Sequence, residues 1–206
     1  MSKVGPTEKT PETEVLCVGL TGCGKTLLIK SLQYQCNHFK GEVWRFGNVP
    51  NHIPTVGTNM TTLNLSGNLG TSSTGISRKT GPISINLREL GGTLMPIWSN
   101  YYSDCHAVIF VIDASDPYRA PSAGVVLKEC LEHKDLKNKP ILIAFSKIDI
   151  LGPVTIAELK NIMFFDKLLE DFALGYSITQ LTVSGITGSG NEEIFSWIRN
   201  LKKSNL

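Results

Sequence analysis

The sequence predicts a doubly wound α/β domain whose sheet is mostly parallel. Residues 107–112 (AVIFVI) and 141–145 (ILIAF) are continuous apolar runs rich in Val, Ile and Phe, which suit strands covered on both faces. Strand-like and helix-like segments alternate from Glu14 onward. A glycine-rich stretch, residues 19–24, joins the first strand-like run to the first helical one.

The elements follow in order. Residues 1–13 (MSKVGPTEKTPET) are polar, carry two prolines and lack an apolar face, so a flexible tail precedes a domain over 14–206. Residues 15–18 are a short β-rich run, and 26–36 place Leu27, Leu28, Leu32 and Tyr34 among polar residues as a helix does. Strands are expected at 61–65 and 83–87. Between them, residues 66–79 (SGNLGTSSTGISRK) bury little and are expected to form a long mobile hairpin loop. Asp116-Pro117 reads as an N-cap with proline at the first helical position, and Thr155 with Glu158 as a capping box. The chain closes on an amphipathic helix over 192–201, with Ile194, Trp197, Ile198 and Leu201 on one face.

Composition narrows the function. Among 206 residues, 20 Lys and Arg nearly balance 18 Asp and Glu, so the net charge of +2 argues against attachment to nucleic acid by charge. No apolar run approaches the ~20 residues that span a bilayer, and none follows Met1, which predicts a chain without a signal peptide. Five scattered cysteines without a CxxC pair argue against a disulfide framework or zinc site and for a reducing compartment.

Gly19-Leu20-Thr21-Gly22-Cys23-Gly24-Lys25-Thr26 is the strongest chemical signal. It follows a strand and opens a helix, the context a phosphate-binding loop needs. Its glycines let successive backbone N–H groups face phosphate oxygens, and the helix start adds partial positive charge. Lys25 is expected to bridge β- and γ-phosphates and Thr26 to ligate Mg²⁺. A purine nucleoside triphosphate follows as ligand, with the base left open.

Three further segments address that choice. Ser146-Lys147-Ile148-Asp149 lies at the carboxyl edge of a core strand, where Asp149 can accept two hydrogen bonds from guanine N1–H and its 2-amino group. Adenine lacks both donors, so discrimination of ~10⁴ is expected. Thr55, in Pro54-Thr55-Val56-Gly57, can offer its hydroxyl to Mg²⁺ and its N–H to a γ-phosphate. In Arg88-Glu89-Leu90-Gly91-Gly92-Thr93, Gly92 lets a backbone N–H approach the γ-phosphate, and Glu89 can reach the Mg²⁺ shell through water.

In this order and spacing the set resembles the small GTPases of the ADP-ribosylation-factor-like (Arf-like) family. IPTVGTN (53–59) resembles its first switch and ELGGTLMPIWSNYY (89–102) its second. HAVIFVIDASD (106–116) resembles its fourth strand, SKID (146–149) its guanine motif, and SGITGSG (184–190) its last nucleotide loop. RELGG points to the divergent type-16 branch. The resemblance implies a P-loop GTPase fold of about six strands with helices on both faces. It also implies a GTP/GDP switch with Mg²⁺ that presents its switches to effectors and is served by an exchange factor and a GTPase-activating protein. Ser184 and Gly185 would then offer a backbone N–H to guanine O6.

Departures from the family are informative. Thr93 stands where the family places the glutamine that orients attacking water, so hydrolysis is expected below the ~10⁻⁴ s⁻¹ of unaided small GTPases unless a partner helps. Glu89 replaces an aspartate. Ser146 replaces an asparagine, and the loss of a bracing amide is expected to soften affinity by ~1 kcal/mol. Two of three family aromatics at the effector surface are Thr58 and Arg88 here, leaving Tyr101, with Trp98 either beside it or in the core. Ser2 excludes N-myristoylation, and Asn205-Leu206 ends no prenylation motif. The expectation is a cytoplasmic monomer without a direct lipid anchor, recruited to membranes through partners. Two other functions fit less of the sequence: a GTP-loaded binding module without turnover, and an ATP-dependent small-molecule kinase, which would leave Lys147 and Asp149 unexplained.

Overall fold

The computed structural model describes residues 13–38, 55–65, 83–150, 152–172 and 175–201. Residues 1–12 of the expected tail, the 66–79 loop and Pro54 lie outside these residues, whereas Thr13, placed in the tail by the sequence, is buried and opens the first strand. Six strands form one sheet in the order β2-β3-β1-β4-β5-β6. They are β1 (Thr13–Val18), β2 (Thr58–Leu65), β3 (Ile83–Leu90), β4 (Ala107–Asp113), β5 (Ile141–Ser146) and β6 (Ile178–Thr182). Only β2 and β3 pair antiparallel; the remaining neighbours are parallel. The two apolar runs are the central strands β4 and β5, where every residue but Asp113 is buried.

Helices α1 (Lys25–Asn37), α2 (Ala120–Glu132), α3 (Ile156–Ile162), α4 (Phe165–Phe172) and α5 (Asn191–Leu201) pack against the sheet. Alternating strand residues feed two cores. Leu16, Phe110, Ile112 and Phe145 join α2, α3 and α4 in one. Val15, Ile109, Val111 and Leu142 join α1 and α5 in the other. That division is the doubly wound arrangement, and it carries the loops after β1, β3, β4 and β5 to a single sheet edge. Among the described residues no helix is long and apolar enough to cross a membrane.

One local expectation changes. The Asp116-Pro117 signal does not open α2. Asp116 instead accepts the Arg119 N–H on its Oδ1 at 3.3 Å in a turn, and the helix starts at Ala120 with Arg119 as N-cap. The second-switch stretch forms a 3₁₀ segment, Gly92–Tyr101, with Pro96 inside it. Thr155 and Glu158 do form a capping box: the Glu158 N–H donates to Thr155 Oγ1 at 3.2 Å and the Thr155 N–H to Glu158 Oε2 at 2.7 Å.

Candidate phosphate and base site

Residues 19–24 turn sharply between β1 and α1, with Gly19, Gly22 and Gly24 at φ values of 146°, 79° and 97°. At Gly19 the requirement is also steric, because a β-carbon would lie 2.3 Å from the Val111 carbonyl oxygen. No side chain caps the N-terminus of α1 and no acidic residue stands in its first turn, so its leading N–H groups and positive end face the loop. Lys25 is buried, and its ammonium donates to the Gly19 and Leu20 carbonyls at 2.9 and 3.0 Å. Two carbonyls leave one of its three N–H donors uncommitted to backbone. The loop is a cradle of amide donors around a fixed cation.

Three oxygen-bearing side chains meet at the start of α1: Thr26 from that helix, Glu89 from β3 and Thr55 from the segment ahead of β2. Thr26 Oγ1 lies 2.9 Å from Thr55 Oγ1 and donates to Glu89 Oε1 at 2.5 Å; Thr55 donates to the same oxygen at 3.1 Å. Glu89 is 1% exposed, and its second oxygen has no hydrogen-bond partner among the described residues. A buried carboxylate oxygen without a donor is costly. Two hydroxyls and an orphaned carboxylate oxygen are the donor set of a hard divalent cation such as Mg²⁺. No cluster of three or more His, Cys, Asp or Glu accompanies them among the described residues, which argues against a softer metal.

The second switch closes the opposite wall. A β-carbon on Gly92 would lie 2.3 Å from the Thr21 nitrogen and 2.5 Å from its hydroxyl, so only glycine allows this approach. The Gly91 N–H donates to the Gly57 carbonyl at 3.0 Å, tying the two switches together. Thr93 is exposed at the start of the 3₁₀ segment.

The residues expected to read the base sit at the end of β5. Asp149 is exposed, and its Oδ1 accepts the buried Ser184 hydroxyl at 2.5 Å. Ser184 in turn accepts the N–H groups of Ile186 and Thr187 at 3.2 and 3.1 Å. Gly185 rests directly on α1, where a β-carbon would lie 2.9 Å from the Leu27 carbonyl carbon and the Leu28 nitrogen. Lys147, with φ 62°, passes its stem over Gly24 and ends in a 2.5 Å ion pair with Asp113. Asp113 also accepts from the Ser115 N–H and hydroxyl, so its carboxylate is fully engaged.

Several expectations are revised by position. Ser146, expected only to lack an amide, braces the site through its hydroxyl. Its hydroxyl lies 2.5 Å from the Cys23 carbonyl oxygen and 3.0 Å from that of Ile112, joining β5, β4 and the phosphate loop. Trp98 is not a partner-facing aromatic: it is 1% exposed and donates its indole N–H to the Gly91 carbonyl at 3.1 Å. Arg88 is half-buried, pairs with Glu14 at 2.5 Å and lies over the Tyr101 ring at 5.5 Å. Thr58 is exposed and Tyr101 half-buried. Burial pushes the Cys23 thiol up despite the Lys25 cation beside it, which leaves a packing residue and not a nucleophile. Asp113 and Arg119 were missed by sequence reasoning. Asp113 ends a core strand as an acid among apolar residues, and that pattern was the available signal; Arg119 carries none.

The arrangement defines a class: a P-loop GTPase fold with two switch segments meeting at one phosphate cradle. The model of the ADP-ribosylation factor family matches residues 2–202. The chain therefore belongs to the ADP-ribosylation factor family of small GTPases. It is 32% identical over 191 residues to human ADP-ribosylation factor-like protein 16, covering 92% of this chain and 86% of that one. It is 28% identical over 194 residues to ADP-ribosylation factor-like protein 1 of Saccharomyces cerevisiae, covering 93% and 88%. The fold is that of the Arl6 (BBS3) small GTPase of Trypanosoma brucei, solved with the nucleotide analogue GppNp, at a TM-score of 0.66 and 24% identity over 94% of this chain and 96% of that one.

Proposed function

We propose that the protein is a guanine-nucleotide switch that binds GTP and GDP with Mg²⁺ and shows its switch segments to effectors in the GTP form. The observation that carries this reading is the meeting of Thr26, Thr55 and the orphaned Glu89 oxygen at the start of the helix that also carries Lys25. Loop amides and Lys25 take the phosphate charge. Mg²⁺, held by Thr26 and Thr55 with Glu89 against its shell, supplies further neutralisation of the phosphate oxygens. Thr55 and Gly92 answer to the γ-phosphate, so its loss releases both switches together through the Gly91–Gly57 bond. At the other end Asp149, aimed by Ser184, takes guanine N1–H and the 2-amino group. The Lys147 stem covers the base, and a backbone N–H near Gly185 meets O6.

Thr93 is too short to hold a water and a phosphate oxygen together, so turnover is slow or depends on a partner. Effectors meet Thr58, Arg88 and Tyr101, a more polar surface than an aromatic cluster would give, while an exchange factor and a GTPase-activating protein set the state. A cytoplasmic monomer recruited to membranes by partners fits this reading. A module that holds GTP without turnover is the second reading, favoured by Thr93 alone. Calorimetric titration of nucleotide-stripped protein with GTP, GDP and ATP in Mg²⁺ tests the proposal. Asp149→Asn is expected to erase the preference for GTP over ATP, and Lys25→Ala to abolish binding. Equal affinity of the unaltered protein for ATP and GTP would overturn it.

A further inference from the structure

Arg119 belongs to none of the groups above. It stands at the N-cap of α2 and reaches across the turn to donate an Nη1–H to the Thr21 carbonyl at 2.8 Å. A β-carbon on Gly22 would lie 3.8 Å from the same nitrogen, so the guanidinium lies along the outer lip of the phosphate loop. Among the described residues no carboxylate forms an ion pair with it. Asp116, the nearest acid in sequence, accepts only its backbone N–H. One of five N–H donors is thus spent on a neutral carbonyl, and the charge has no counterpart. Thr21 is also the residue that Gly92 abuts. The arginine and the Gly92-Thr93 dipeptide therefore meet at one residue of the cradle, at the end assigned to the γ-phosphate.

We infer that Arg119 is an arginine supplied in cis to the triphosphate, resting on the Thr21 carbonyl and turning onto a γ-phosphate oxygen when GTP is bound. The inference rests on the GTP reading above. It also answers the deficit at Thr93: a group that cannot position water is offset by one that neutralises charge. In hydrolysis the water oxygen forms a bond to the γ-phosphorus as the bond from that phosphorus to the bridging oxygen breaks. The electron pair stays on GDP, and the water proton leaves with inorganic phosphate. Arg119 neither gives nor takes a proton; it stabilises the phosphate oxygens along the way. Its exposure lets the side chain turn without disturbing the core, while the helix start fixes its Cα.

The test compares the full chain with Arg119→Ala and Arg119→Lys, all with Mg²⁺. The readouts are affinity for GDP, affinity for the non-hydrolysable analogue GppNHp, and single-turnover GTP hydrolysis. Arg119→Ala is expected to leave GDP affinity within about twofold and to weaken the analogue and slow hydrolysis by about tenfold or more, the scale of one charge-assisted hydrogen bond. Arg119→Lys is expected to fall between, since it keeps charge without the fork. Equal losses for GDP and the analogue would overturn the inference and leave a mere loop brace, as would no change in any readout. If the unaltered protein binds GDP and GppNHp not at all, the guanine reading itself falls, and this inference with it.

Discussion

Removing one hydroxyl at Ser146 puts the architecture of the site to a quantitative test. Ser146 is 2% exposed, and its oxygen lies 2.5 Å from the Cys23 carbonyl and 3.0 Å from the Ile112 carbonyl. A hydroxyl carries one proton, so it makes one full bond at a time and shares itself between two acceptors. Ser146→Ala removes a net ~1 kcal/mol hydrogen bond and leaves a buried carbonyl short of a donor, for a total of about 1–2 kcal/mol. In a domain of this size each kcal/mol moves the melting temperature by about 2–4 °C, so a fall of roughly 2–8 °C is expected by calorimetry. Cys23 O lies in the phosphate loop, so part of the loss appears as nucleotide affinity, about threefold to fivefold if half is expressed there. Because the hydroxyl touches backbone and not base, GTP and ATP should weaken by the same factor. A melting temperature within about 1 °C of the parent with unchanged affinity would show that the brace contributes nothing. A loss confined to GTP would show that Ser146 reads the base.

Further outcomes follow from individual contacts. Gly92→Ala forces a β-carbon to within 2.3 Å of the Thr21 nitrogen, so the 3₁₀ segment must move; a loss of ~1–3 kcal/mol in stability and of preference for GTP over GDP is expected in melting and titration experiments. Trp98→Ala should cost about 3–5 kcal/mol in denaturant unfolding, the signature of a core side chain and not of an effector anchor. Arg88→Ala removes a partly shielded ion pair and a ring contact, and should cost only about 1 kcal/mol by the same measurement. Burial raises all five thiols, Cys36, Cys105 and Cys130 to about 11. Native protein at neutral pH should therefore react slowly with a thiol reagent, faster as pH rises toward those values, and yield all five groups promptly only after denaturation.

What the sequence could and could not reveal divides along chain distance. The central strands were legible because burial on both faces writes an uninterrupted apolar run, and the phosphate loop because its chemistry is contiguous. Its neighbours were less so. Lys147 and Asp113 are 34 residues apart, Arg119 and Thr21 98, and neither pairing leaves a local pattern. The Asp116-Pro117 signal has real capping chemistry, but the chain spends it on a turn ahead of the helix. Trp98 was ambiguous because an aromatic in a switch segment is equally at home in a core or against a partner. The indole N–H found a backbone carbonyl, and that settled it. Ser146 was illegible in a third way, since its partners, the Cys23 and Ile112 carbonyls, lie 123 and 34 residues away in the chain.

Helix α1 has a consequence beyond its own stability. Its first turn carries Lys25 and Thr26 and, through Leu27 and Leu28, supports Gly185, while Ser31 and Gln35 farther along receive the Asn191 amide at 2.8 and 2.9 Å from the start of α5. One turn thus sets the spacing between the phosphate grip and the base-reading loop. A ligand must match that ruler at both ends to satisfy either, and a distortion of that turn would blur both measurements at once.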